Sequence, residues 1–218
     1  RSPEPWGPCR NSFNIDYISG GSSAGSAVSV ALGLATFSLG TDTAGSGRVP
    51  ASFNNLVGLK PSLGVLSSTG MLPACRTLDT ISIFTQTPVD AERVLNVAAT
   101  FDRKDAYARL LTDSVWPGLP ATAGYTVAVP AHEQLEFFGD SDAETLFQKA
   151  IERMTAIGAT VIEKDFSPFF DAAKLLYQGP WVAERYVAIE DMVVNKPESL
   201  HPAIRAIVEP AIDITAVD

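Results

Sequence analysis

Serine hydroxyls stand among glycines in two short runs of this 218-residue chain, GGSSAGS at Gly20–Ser26 and TAGSG at Thr43–Gly47. Small side chains leave backbone N–H groups free to meet a ligand. Attack by a serine on a carbonyl needs amide donors for the oxyanion and a group that removes the hydroxyl proton. Thr43, Ala44, Gly45 and Ser46 supply successive N–H groups beside a hydroxyl, which is how an oxyanion hole is built. The base is harder to find. His132 in VPAHEQ and His201 in SLHPAI have no partner recognisable by spacing, and each reads as an exposed structural residue. A Gly-x-Ser-x-Gly match at Gly21–Gly25 offers a second reading: an α/β-hydrolase esterase with Ser23 as nucleophile and His132 or His201 as its histidine.

The elements that must position these groups follow from the apolar pattern. Between the two runs, Ala27, Val28, Val30, Ala31, Leu32, Leu34 and Ala35 leave no polar face, which predicts a helix buried all round, followed by a short strand at Thr36–Gly40. No charged residue precedes Asp42 in that stretch. ASFNNLVGLKPSLGVLSSTG predicts short strands and turns, and Thr80–Phe84 a buried strand. Pro88 opens a helix with Val89, Val94, Leu95 and Ala98 on one side. Residues 102–124 read as irregular. Tyr125–Val129, a helix from Ser141 with Glu144 as its capping box, and ATVIEKDF form a βαβ unit. Helices are expected at Ser167–Tyr177, Trp181–Val194 and, more weakly, Pro202–Val208. The whole reads as an α/β fold with a mixed sheet.

Composition narrows the function. With 46% apolar and 19% charged residues the chain is globular, and its net charge of −9 without a Lys/Arg block argues against nucleic acid or an anionic membrane as partner. No apolar run reaches the length of a membrane span. Two cysteines and two histidines, far apart, give no metal-ligand spacing. Cys9 and Cys75 read as reduced thiols of a cytosolic protein, Cys75 as a buried structural one, and Trp181 as core packing. Both ends look like cuts, so the chain reads as a piece of a longer protein.

Three runs in order, Gly20–Ser26, then Gly40–Pro50 (GTDTAGSGRVP), then Gly58–Pro61 (GLKP), resemble the amidase signature family. That resemblance implies an amidase-signature fold, with a mixed β-sheet core covered by helices on both faces. It implies a triad without histidine: Ser46 as nucleophile, Ser22 as a bridging serine on a cis peptide, and a neutral lysine. It also implies that the amides of Thr43, Ala44, Gly45 and Ser46 line the oxyanion hole. A lysine can lose its proton near neutral pH if burial lowers its pKa by about three units. In the family that lysine lies well upstream of the first Gly/Ser run, and the GLKP lysine is not the base, so Lys60 reads as structural. The expectation is a partial amidase domain over 1–218, without the N-terminal segment that carries the lysine and without the C-terminal remainder, and inactive by itself.

Further runs, among them Asp16–Ser19, Asn54–Gly58, Leu72–Arg76, Leu78–Phe84 and Tyr177–Tyr186, resemble the allophanate-hydrolase branch of that family. The branch implies hydrolysis of allophanate, a small planar substrate with a carboxylate and a primary amide, and needs no cofactor or metal. By position Arg185 is its substrate arginine, suited to grip a carboxylate with two parallel hydrogen bonds, and Tyr177 contacts substrate. The resemblance further implies coupling or fusion to a biotin-dependent urea carboxylase and allows a homodimer. An amidase of other substrate range stays open beside it, as does a piece without catalysis of its own.

Overall fold

A computed structural model describes residues 7–110 and 124–215. The first six residues of the opening loop, the part of the irregular stretch from 111 to 123, and residues 216–218 lie outside the described residues. The chain forms two compact units, one made of Arg1–Thr112 with Leu176–Asp218, the other of Asp113–Leu175.

The first unit begins with α1 (Ala24–Ala31), β1 (Ser38–Asp42), α2 (Arg48–Phe53), β2 (Val57–Leu59), β3 (Thr80–Thr85) and α3 (Pro88–Ala98). β3 is the middle of a three-stranded antiparallel sheet, with β1 on one side and β2 on the other. Successive strand residues point to opposite faces, and β3 uses both. Phe84, fully buried, packs with Ala27, Val30 and Ala51 of α1 and α2. Ile83, also fully buried, packs on the other face with Val65, Leu66 and Leu95 of α3. Helices therefore cover both faces of this sheet, as expected. Burying a Phe or Ile side chain contributes roughly 1.5–3 kcal/mol, so β3 is the main source of cohesion around the site.

Several boundaries differ from the sequence reading. α1 is not buried all round: Ala24, Ala27 and Val30 face the sheet, while Leu32 and Leu34, past the helix end, are 54% and 77% exposed. α2 stands where strands and turns were expected. Its proline, Pro50, lies in the first turn, where a missing N–H has no helical partner to lose. α3 starts at Pro88, capped by Thr87, whose hydroxyl accepts Asp90 N–H at 3.2 Å. Val89 faces solvent, not the core.

In the second unit β4 (Thr126–Pro130) and β5 (Thr160–Lys164) pair in parallel around α4 (Ser141–Ala156), the βαβ unit read from the sequence. The cap of α4 is Asp140, which accepts Ala143 N–H at 2.9 Å; Ser141 is the first helical residue and not a capping-box cap. Parallel and antiparallel pairings both occur, divided between two sheets. α5 (Ser167–Gln178) ends in the first unit, which is completed by α6 (Trp181–Asn195) and α7 (Pro202–Val208).

Candidate active site

The two Gly/Ser runs meet. The Gly21–Ser22 peptide is cis, and Ser23 N–H points to the Ser46 carbonyl at 3.4 Å. The chain before Ser22 is fixed by the fully buried Asn54. Its amide donates to the carbonyls of Ser19 and Pro50, both at 2.9 Å, while its oxygen accepts the N–H and hydroxyl of Ser12 at 3.1 and 2.9 Å. Asn54 sits at the end of α2, the helix that follows Ser46, so one side chain with every hydrogen-bonding position filled ties the two runs together. Among the described residues the side chains of Ser22, exposed, and Ser46, half-buried, make no hydrogen bond.

Ser23 is otherwise placed. Its hydroxyl donates to the Thr41 carbonyl and accepts Thr41 N–H, both at 3.1 Å, which fastens the start of α1 to β1. Gly40 is required there, since a Cβ would lie 2.6 Å from Ser23 Oγ and 2.8 Å from the Phe84 ring. His201 is occupied as the cap of α7, its Nδ1 accepting Ala203 N–H at 3.2 Å. His132 opens a short 3-10 turn in the second unit. The esterase reading with Ser23 as nucleophile is therefore overturned: its hydroxyl is held on both sides by strand backbone, and no histidine bonds to it.

The second Gly/Ser run is shaped by a residue the sequence reading passed over, Asp42. Fully buried at the end of β1, its carboxylate accepts Gly45 N–H at 2.7 Å, Gly47 N–H at 3.1 Å and Arg48 N–H at 3.2 Å. Arg48 adds Nε and Nη2, each at 3.0 Å. Burial alone would raise the Asp42 pKa. The Arg48 guanidinium and the Gly45 and Gly47 amides outweigh it and hold the carboxyl below its ordinary value. One consequence refines the expected hole: the Gly45 amide is directed at Asp42. Among the described residues the amides of Thr43, Ala44 and Ser46 have no hydrogen-bond acceptor. Gly45 instead supplies the turn, with a φ of +122°.

Asp79, also buried, serves the same run from the other side. One oxygen takes the Thr43 hydroxyl. The other accepts the N–H groups of Ala74 and Cys75 at 2.7 and 3.0 Å, which folds the 74–79 loop. Cys75 is fully buried in that loop, and burial, with Glu184 adding to it, pushes its thiol up to about 12. That fits the structural thiol expected. The loop meets the first turn of α6 through Glu184, whose carboxylate accepts the Thr77 N–H at 3.0 Å and hydroxyl at 2.6 Å. Burial raises the Glu184 pKa, but the Thr77 bonds, with further ones from the Cys75 thiol and the Arg76 backbone, more than offset it and leave the carboxyl below its ordinary value.

Arg185 and Tyr177 come together: the guanidinium carbon lies 4.5 Å from the centre of the Tyr177 ring, a cation–π contact. Arg185 Nε is buried without a partner, and among the described residues Arg185 makes no ion pair. A half-buried cation with an unfilled donor suits an anionic ligand. Lys60 follows β2 and bonds to neither serine. Among the described residues, no three or more His, Cys, Asp or Glu could hold a metal ion, and no helix is long and apolar enough to cross a membrane.

Comparison with known proteins gives these features a context. The model of the Amidase family matches residues 2–212. The chain is 45% identical over 221 aligned residues to a urea amidolyase of Saccharomyces cerevisiae, which covers all of this chain and 12% of that protein. A solved allophanate hydrolase of Kluyveromyces lactis superposes with a TM-score of 0.88 at 41% identity, over 98% of this chain and 35% of that one. The urea amidolyase of the same yeast does so with a TM-score of 0.85 at 42% identity, over 97% of this chain and 12% of that one. The chain thus spans about an eighth of the urea amidolyases it matches (12%) and about a third of the allophanate hydrolase (35%).

Proposed function

Because the chain belongs to the amidase family, we propose that it carries the nucleophile and the substrate grip of a hydrolase that cleaves the amide C–N bond of allophanate. The observation that carries the substrate class is Arg185, a half-buried guanidinium over Tyr177 with no carboxylate partner among the described residues. Likeness of this chain to part of a urea amidolyase and part of an allophanate hydrolase supports the same substrate.

In this reading Ser46 attacks the terminal amide carbonyl while Ser22 takes its proton. Thr43, Ala44 and Ser46 present their amides to the oxyanion, and Gly45 holds the turn. Collapse of the tetrahedral intermediate releases ammonia and leaves an acyl group on Ser46. Water then frees a dicarboxylated nitrogen, which breaks down to carbon dioxide and a second ammonia. Arg185 and Tyr177 hold the substrate carboxylate. No lysine precedes Lys60 in these 218 residues, and neither serine bonds to one. The final proton acceptor is therefore assigned to a lysine N-terminal to the first Gly/Ser run, as in the Ser–Lys variants of the catalytic triad. No cofactor is assigned to this step. Allophanate implies a biotin-dependent urea carboxylase as the coupled or fused source, with a homodimer as the assembly to test. Two free thiols fit a cytosolic setting.

Kinetics of the full-length protein test the assignment. Ser46→Ala should abolish ammonia release from allophanate; near wild-type release would remove Ser46 from its role. Arg185→Ala removes charge-assisted hydrogen bonds worth about 1.5–3 kcal/mol, or about 10- to 150-fold in kcat/KM. The loss should fall on allophanate and spare a neutral amide such as malonamide, and equal losses on both would refute the carboxylate role.

A further inference from the structure

The exposed Ser22 side chain makes no hydrogen bond among the described residues, so its place is set by the chain on either side. Downstream, Ser23 is fastened to the Thr41 backbone. Upstream, the chain lies along α2, the helix that follows Ser46. Gly20 meets Pro50 there so closely that a Cβ would stand 2.8 Å from Pro50 Cα. Two buried asparagines stitch this seam. Asn54 spends both amide hydrogens across it, on the carbonyls of Ser19 and Pro50. Asn11 does the same one residue earlier, donating to the carbonyls of Ile18 at 3.1 Å and Phe53 at 2.7 Å. Their oxygens are filled as well, Asn54 by Ser12 and Asn11 by the N–H groups of Phe13 and Asn14. A primary amide can bridge two carbonyls and accept two donors at once. A fully satisfied polar seam of this kind fixes one arrangement where apolar packing tolerates several.

We propose that Asn54, seconded by Asn11, is a positioning residue for the proton transfer: its amide sets where Ser22 stands relative to Ser46. The inference rests on the assignment of Ser46 as nucleophile and Ser22 as the group that takes its proton. Neither asparagine touches substrate. The second Gly/Ser run is held separately, by Asp42 and Asp79. Loosening the seam therefore moves Ser22 and leaves the oxyanion amides in place. Proton transfer tolerates little movement, since the two oxygens must come within about 2.6–3.2 Å.

A double-mutant cycle with Ser22→Ala in the full-length protein tests this, with single-turnover ammonia release from allophanate reading the slow variants. Asn54→Asp keeps the shape of the side chain and the acceptor for Ser12, but turns an acceptor toward the carbonyls of Ser19 and Pro50. A displacement of about 1 Å at Ser22 should lower kcat about 10²-fold. KM should stay within about twofold, because Arg185 and Tyr177 lie outside the seam. In the Ser22→Ala background the same change should cost less than about threefold, since no hydroxyl remains to be misplaced. Asn11→Ala is milder: Ile18 and Phe53, whose carbonyls it releases, are 67% and 43% exposed, so water can replace the amide. It should lose about three- to tenfold in kcat, the worth of a neutral hydrogen bond, and again nothing without Ser22. If Asn54→Asp does not fold, Asn11→Ala decides alone. An unchanged kcat in the folded variant overturns the inference. So does a loss that recurs in full in the Ser22→Ala background, the pattern of a seam that merely supports the fold. If Ser22→Ala itself keeps near wild-type kcat, the assignment of Ser22 fails and the inference with it. If Ser22→Ala is crippled and the asparagine losses recur on top, only the inference fails.

Discussion

Asp42→Asn turns one carboxylate oxygen into an amide nitrogen, placing a donor at the centre of a cluster of donors. If the remaining oxygen stays toward Gly45 and Arg48 Nη2, the new NH2 faces Gly47 N–H, Arg48 N–H and Arg48 Nε, which lay 3.0–3.2 Å from the lost oxygen. Flipped, the amide faces Gly45 N–H and Arg48 Nη2 instead, at 2.7 and 3.0 Å. The Arg48 side chain is 55% exposed and can turn to water, so only backbone amides bear the full loss. One or two buried N–H groups without an acceptor cost about 1–3 kcal/mol each. The run can relieve this only by rotating peptides between Asp42 and Gly47, which carry the three unpartnered amides of Thr43, Ala44 and Ser46. Misplacing one oxyanion donor raises the barrier by roughly 3–4 kcal/mol, a loss of 10²–10³ in kcat. Ammonia release at saturating allophanate reads kcat, and urea unfolding reads stability. KM should hold, since Arg185 and Tyr177 are untouched. A kcat within threefold of wild type would refute the claim that Asp42 shapes the oxyanion run, and unchanged stability as well would refute the hydrogen-bond reasoning behind it.

Gly47→Ala would place a Cβ 2.4 Å from Ser82 Oγ and 2.5 Å from Ser82 Cβ, an overpacking worth about 1–3 kcal/mol that Ser82→Gly should partly relieve in urea melts. Ser82→Ala alone should leave stability unchanged or raised, because the buried Ser82 hydroxyl has no partner to lose. In an Ellman titration Cys9, half-buried, should react in the native protein, and Cys75, buried with its thiol pushed up to about 12, only after denaturation. Asp102 is held at about 2 by the hydroxyls of Ser67 and Thr69 and by Lys104 N–H. Its contribution is thus fully present above the ordinary carboxylate value of 3.8 and is lost as pH falls through about 2. Pepsin cleavage near residues 67–69 should stay slow at about pH 4 and accelerate toward about pH 2; equal rates at both would contradict this clamp.

What could be read from sequence follows how local each cause is. β3 declared itself because Thr80–Phe84 is an uncharged run rich in β-branched and aromatic residues, the composition of a buried strand. The βαβ unit was visible in its spacing. α2 was missed since Pro50 and the following Asn pair look like turn residues, and only the position of Pro50 in a first turn reconciles them with a helix. The contrast between Ser22, Ser23 and Ser46 is not local. Ser23 is disqualified by Thr41, a strand away, and three hydroxyls in glycine-rich runs are indistinguishable until the strand is in place. Asp42 and Asp79 left a faint signal, single charges bordering apolar strands, which is where a buried carboxylate with many donors belongs. Tyr177 and Arg185 are two helices' worth of geometry apart, α5 ending and α6 beginning between them, and pattern reading alone gave no reason to join them.

Antiparallel pairing sets Asp42 opposite Thr80, and Asp79 grips Thr43 immediately beyond. The second Gly/Ser run is therefore closed by residues synthesised well after it. A chain leaving the ribosome at about 5–20 residues per second exposes Ser46 for on the order of seconds before β3 emerges to pair with β1. During that interval β1 is an unpaired strand edge, the kind of surface that chaperones and misassembly both act upon. Ser46 is thus made early and enclosed late, and the second Gly/Ser run takes its final shape only after the sheet has closed.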